Sequence, residues 1–149
     1  MFGINFDTAG SMLSSFSPRP RKRILVVDDE PLMRKGLELQ LKNAGYEVDT
    51  VEDGRQALLL LRERTYDLVI SDIIMPFISG LELLNSLRKE QNHTAILLCS
   101  SLNSENVVRR AFEIGADGFI SKPYHTRELL QHIDSILIET ESRKVSAGR

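Results

Sequence analysis

Short apolar runs, each closed by a polar group, alternate along this chain with longer segments whose apolar residues recur every three or four positions. Ile24 to Val27, Val48 to Val51, Asp67 to Ser71, Ala95 to Cys99 and Gly118 to Ser121 are too short for helices and predict strands. Three of them are nearly continuously apolar, as a parallel sheet covered on both faces requires. Between the strands, Met33, Leu37, Leu41 and Ala44 form one helical stripe, and Gly45 is a natural C-cap beyond it. Ala57, Leu58 and Leu61 follow the turn signal Asp53-Gly54, and Leu81, Leu84 and Leu87 follow Ser79-Gly80. Val107, Val108 and Ala111 follow Asn103 and Ser104, while Leu129, Leu130, Ile133 and Leu137 follow Thr126, a residue suited to an N-cap. Five βα units result. Right-handed crossovers leave few ways to wind them, and the expectation is an α/β flavodoxin-like three-layer sandwich with a five-stranded parallel sheet in the order 2-1-3-4-5.

The two ends break this pattern. Residues 1–20 are rich in Ser, Gly and Pro with scattered Phe and close on Ser17-Pro18-Arg19-Pro20, which predicts a poorly ordered leader; Met12 offers an alternative start. The residues after Glu141 are polar and are expected to fray, so the folded domain is bounded at 21–140 with a flexible tail at 141–149.

A chain of 149 residues with 42% hydrophobic and 27% charged residues fits one soluble domain with a single core. A net charge of -2 provides no global attraction to nucleic acid or an anionic membrane. The basic run Arg19, Arg21, Lys22 and Arg23 reads as a solvated approach to the first strand. The single cysteine, Cys99, excludes an internal disulfide and reads as a buried, inert thiol. No stretch approaches the roughly 18 apolar residues of a membrane span, and no signal-peptide pattern opens the chain, so the cytoplasm is the expected compartment.

The chemistry lies in the groups that close the strands. In a parallel sheet the carboxyl ends of neighbouring strands lie side by side. Asp28, Asp29, Asp72, Ser100 and Lys122 should therefore converge, giving three carboxylates, a hydroxyl and an ammonium. Asp28 to Glu30 alone would suit a helix N-terminus. A third carboxylate at Asp72 has no capping duty and deepens the repulsion, which favours a cation. Magnesium suits such a set, since it binds through one or two carboxylates, waters and phosphate oxygens. Lys122, held at the corner before Pro123, can reach a carboxylate or a phosphoryl oxygen, and the Ser100 hydroxyl can donate to one.

These residues resemble the receiver domain of response regulators in two-component phosphorelay signalling, over Ile24 to about Ile138. The resemblance rests on ILVVDDEP, on Asp72-Ile73-Ile74-Met75-Pro76 with Gly80 beyond, on Ser100, on Gly115-Ala116-Asp117-Gly118-Phe119 and on Ser121-Lys122-Pro123, in the family's order and spacing. It implies that Asp72 is the phosphoacceptor, taking a phosphoryl group from a histidine kinase or a histidine phosphotransfer protein. It further implies that Asp28, Asp29, Asp72 and the backbone carbonyl of Ile74 hold Mg²⁺, and that Ser100 and Lys122 stabilise the phosphoryl group. Ser100 and Phe119 take the switch positions, and the Lys122-Pro123 bond is expected to be cis. Departures are small: Ser100 stands for the commoner Thr, Ser101 for Ala or Gly, and Phe119 for Tyr. Ile74 and Leu102 are apolar where some relatives carry Asn, Lys or Glu.

A magnesium-dependent phosphohydrolase of similar fold is disfavoured, because its second aspartate would fall at Ile74. A degenerate receiver is disfavoured by the complete set of site residues. The expectation is a signalling domain that catalyses only its own phosphorylation and dephosphorylation, with no direct contact to nucleic acid and no membrane insertion. Too few residues follow Ile138 for an output domain, so output is expected through a downstream protein or a separate output domain. A homodimer through Val107 to Phe112, Phe119 and Arg127 to Leu130 stays open. His93, His125 and His132 show no metal-ligand grouping and read as surface residues.

Overall fold

The computed structural model describes residues 20–147, so the leader lies outside the described residues except for Pro20. Within them, strands and helices alternate strictly: β1 (Arg23–Val27), α1 (Pro31–Asn43), β2 (Glu47–Val51), α2 (Gly54–Glu63), β3 (Leu68–Asp72), α3 (Gly80–Lys89), β4 (Ala95–Ser100), α4 (Glu105–Ile114), β5 (Gly118–Ser121) and α5 (Thr126–Ala147). All pairings are parallel, and the sheet order is β2-β1-β3-β4-β5, the expected flavodoxin-like winding.

Alternation along each strand sends successive side chains to opposite faces, so two apolar layers form. Leu25, Val27, Val69, Ile96 and Leu98 pack against α2, α3 and α4, burying Ala57, Leu61, Leu84, Leu87 and Ala111. Ile24, Val26, Leu68, Ile70, Leu97, Cys99 and Ile120 pack against α1 and α5, burying Leu37, Leu41, Leu129 and Ile133. Side-chain oxygens cap three of the helices. Asp53 accepts from the amides of Arg55 and Gln56, Ser79 completes a capping box with Glu82, and Ser104 accepts from Val107. Gly45 follows the α1 cap at φ 100°, in the left-handed region that favours glycine.

Three details differ from the sequence expectation. Met33 is 47% exposed and Ala44 is also exposed, so the α1 stripe narrows to Leu37 and Leu41. Because α1 starts directly after the β1 strand end, its first turn stands at the rim of the sheet, not over its face. Thr126 lies inside α5 as its first residue, since the Leu129 amide already donates to the His125 carbonyl. The polar stretch after Glu141 is helical through Ala147. It contains no Gly or Pro before Ala147, and Glu141 and Arg143 make ion pairs with Lys22 (3.1 Å) and Asp117 (3.1 Å).

Candidate functional site

The strand order makes β1 and β3 neighbours at the centre of the sheet, with β4 and then β5 beside them. Asp28 follows β1 directly, Asp72 ends β3, Ser100 ends β4 opposite Ser121, and Lys122 follows β5. The five groups therefore meet at the carboxyl edge. Asp28, Asp29 and Asp72 each place a carboxylate oxygen within 4.8 Å of the others. Lys122 Nζ forms an ion pair with Asp72 Oδ1. A crevice of about 360 Å³ opens here, lined by Asp29, Asp72, Ile74, Ser100, Ser101 and Lys122 among others.

Local hydrogen bonds set these positions. Asp28 Oδ1 accepts from the Glu30 amide at 2.9 Å, which turns the chain into α1 and commits one of its oxygens. The Arg34 guanidinium donates to the Asp28 carbonyl at 2.7 Å, clamping the same turn from the first turns of α1. Behind the acceptor, the Gly80 amide donates to the Ile73 carbonyl at 2.8 Å, and a Cβ on Gly80 would lie 2.2 Å from the Asp72 carbonyl oxygen. Only glycine allows α3 to start this close to the acceptor's own peptide. The Ser100 hydroxyl, 3% exposed, accepts from the Leu102 amide at 2.9 Å and keeps its proton free to donate into the crevice.

The electrostatics follow from burying like charges together. Burial, reinforced by the Asp28 carboxylate, outweighs the pull of Lys122 and pushes the Asp72 carboxyl up to about 7. Burial disfavours the Lys122 ammonium, yet Asp72 and Asp28 overcome it and raise its pKa. Burial, and then Asp72, push the Cys99 thiol up to about 12, so it is inert, and burial likewise raises the Tyr124 hydroxyl. A carboxyl that burial, beside a second carboxylate, holds near neutrality is short of positive charge, and a hard dication fits that deficit.

Asp28, Asp29, Asp72, Ser100 and Lys122 are thus brought together, with Ile74 at the crevice wall and the Lys122-Pro123 bond cis. Phe119 stands apart from the charges, partly buried against the layer beneath α2, α3 and α4. His93 and His125 are exposed and His132 is partly so. Arg34 was not legible as a site residue, because an arginine on an amphipathic helix carries no signal that it turns back to a strand end. Gly80 was visible as a motif position, although its contact with the acceptor peptide was not.

Comparison with known proteins addresses the family directly. A model of the response regulator receiver domain matches residues 24–134. The regulatory protein VanRB of Enterococcus faecalis is 39% identical over 115 residues, covering 77% of this chain and 52% of that protein. The probable transcriptional regulator ycf27 of Pyropia yezoensis is 37% identical over 128 residues, covering 86% and 52%. The chain thus spans about half the length of the curated relatives it matches. The chemotaxis protein CheY4 of Vibrio cholerae shares 31% identity and a TM-score of 0.75, over 78% of this chain and 99% of that one. Since its match runs from the first strand well into the last helix, the chain belongs to the response regulator receiver domain family, whose members accept phosphoryl groups in two-component signalling.

Proposed function

We propose that Asp72 is the phosphoacceptor of this receiver domain and that transfer to it is dependent on Mg²⁺. The observation that carries the proposal is the meeting of three carboxylates within 4.8 Å at the sheet edge, with Lys122 on Asp72 and the Ser100 hydroxyl in the same crevice. An Asp72 carboxylate oxygen attacks the phosphorus of a phosphohistidine on a kinase or histidine phosphotransfer partner. The P–N bond breaks as the O–P bond of an acyl phosphate forms. Asp28, Asp29, Asp72 and the Ile74 carbonyl would hold Mg²⁺, which supplies positive charge to the phosphoryl oxygens. Lys122 releases the Asp72 oxygen and pairs with a phosphoryl oxygen, and Ser100 donates its free proton to another.

These two new contacts exist only in the phosphorylated state, so they bias a conformational equilibrium. The Ser100 movement draws on the loop before α4, and Phe119 on β5 follows it, changing the face formed by α4, β5 and α5. That face would address a downstream protein or an output domain. Among the matched relatives, one is named a probable transcriptional regulator and another a transcriptional activator protein, and the match covers 52% and 38% of their lengths. The expectation of no contact with nucleic acid is therefore not supported here. The domain acts enzymatically only on its own phosphoryl group, in the cytoplasm where such kinases work. Among the described residues no helix is long and apolar enough to cross a membrane.

Asp72→Asn should abolish Mg²⁺-dependent labelling by acetyl phosphate, measured as the mass increment on the intact chain. Stoichiometric labelling of that variant at another residue would overturn the assignment.

A further inference from the structure

Each of α2, α3 and α4 begins with a side-chain oxygen that accepts from amides of its first turn, at Asp53, Ser79 and Ser104. The start of α1 departs from them. Its N-cap residue, Glu30, makes no side-chain cap, Pro31 opens the helix, and no acidic side chain stands in the first turn. This is the turn that carries Asp28 and Asp29, so the acidic pair sits where the usual side-chain closure is missing.

Arg34 supplies another closure. Its amide donates to the Glu30 carbonyl at 2.9 Å as α1 begins, and its guanidinium turns back to donate to the Asp28 carbonyl at 2.7 Å. The other ties of the turn do not involve the body of α1. The Glu30 amide on Asp28 Oδ1 (2.9 Å) lies within the turn, and the Asp28 amide on the Val51 carbonyl (3.2 Å) fixes the end of β1 to β2. Among the described residues, Arg34 thus makes the one side-chain hydrogen bond from α1 to the acidic turn.

Three carboxylates within 4.8 Å of one another repel, and without a cation that repulsion pushes the turn outward from Asp72. A hydrogen bond that anchors the turn opposes the push. The same guanidinium is also a positive charge beside a site for a dication, which repels the metal. Anchoring raises Mg²⁺ affinity and charge lowers it, so the sign of the effect tells which one rules.

We propose that Arg34 is a positioning residue of the metal site, whose bond to the Asp28 carbonyl holds the Asp28 and Asp29 carboxylates facing Asp72, and that this anchoring outweighs its charge. The inference rests on the reading of Asp72 and Mg²⁺ given above, and Mg²⁺ itself is the probe. In calorimetric titration of the full chain, Arg34→Met should bind Mg²⁺ about tenfold more weakly than the wild type, the lower end of what losing an outer-shell hydrogen bond at a metal site costs. Loss of the charge alone would make binding tighter. Arg34→Lys, which keeps the charge and a smaller set of donors, should fall between the two. Hydrogen exchange at the Glu30 amide should quicken in metal-free Arg34→Met while the amides of β3 keep their wild-type protection, which separates a loosened turn from a loosened fold. With acetyl phosphate, the Mg²⁺ concentration for half-maximal labelling should rise by the same factor, with the rate at saturating Mg²⁺ retained. Affinity that is unchanged or higher in Arg34→Met, or lower in Arg34→Lys than in Arg34→Met, would overturn the positioning role and leave the assignment of Asp72 standing. A wild type that neither binds Mg²⁺ nor takes label would overturn both.

Discussion

At the scale of single residues, the crevice divides its carboxylates by what each has left to offer. Asp28 is buried and has one oxygen committed to the Glu30 amide, whereas Asp29 lines the crevice. Asp29→Ala should therefore weaken Mg²⁺ affinity strongly, and more than Asp28→Ala, in calorimetric titrations; equal affinities for wild type and Asp29→Ala would remove Asp29 from the site. Two apolar residues follow the acceptor and the hydroxyl by two positions: Ile74, 59% exposed, lines the crevice, and Leu102, 50% exposed, is tied to Ser100 through its amide. Hydrolysis needs a water in line with phosphorus, and neither residue can hold one by hydrogen bonding. The acyl phosphate should be long-lived, and an Ile74→Asn, Leu102→Glu double variant should lose phosphate several-fold faster in the same Mg²⁺ buffer. Unchanged or slower decay would sink the idea. The five reactive groups were legible because each closes an apolar run, and parallel strands bring such ends together. Arg34 was not legible, because its bond to Asp28 depends on how α1 leaves the sheet.

At the scale of elements, the strands were read to within a residue, because their length of four to six residues, set between longer helical stripes, arbitrates for strand over helix. Helix faces were read less well, since periodicity gives a stripe but not how far it extends over the sheet, as Met33 shows. Long-range polar ties were invisible. Arg88 of α3 donates to the carbonyls of Asn92, Thr94 and Gly115 and meets Asp117, whose carboxylate also accepts from the Ile96 amide. One half-buried guanidinium thus joins the end of α3, the start of β4 and the turn before β5. Arg88→Met keeps the stem and strands three carbonyls with weaker partners; leaving such groups unpaired costs about 1–3 kcal/mol each when fully buried, so a net loss of about 2 kcal/mol in urea unfolding is expected. A change below about 0.5 kcal/mol, the range of ordinary surface substitutions, would show that the tie is replaced by water.

At the scale of the whole molecule, the strained charge at Asp72 links stability to pH and metal. Its folded pKa of about 7 lies above an unfolded carboxyl near 3.9, so below pH 4 both states are protonated and no cost arises. As pH rises through this window the native state holds the extra proton, and stability falls until about pH 7. Metal-free wild type should therefore lose thermal stability between about pH 4 and pH 7 relative to Asp72→Asn, with the two converging at the acid end. Mg²⁺ should restore the wild type at pH 8 and leave Asp72→Asn little changed. A wild-type midpoint that rises relative to the variant across this window would contradict the cost of burying the Asp72 charge.

The apolar character of Ile74 and Leu102 has a consequence in time. A phosphoryl group that leaves slowly turns the domain into an averaging device. Kinase pulses shorter than its lifetime add together, and brief interruptions go unseen. The downstream face would then report the mean activity of the kinase over the lifetime of the acyl phosphate, trading speed of reset for immunity to noise.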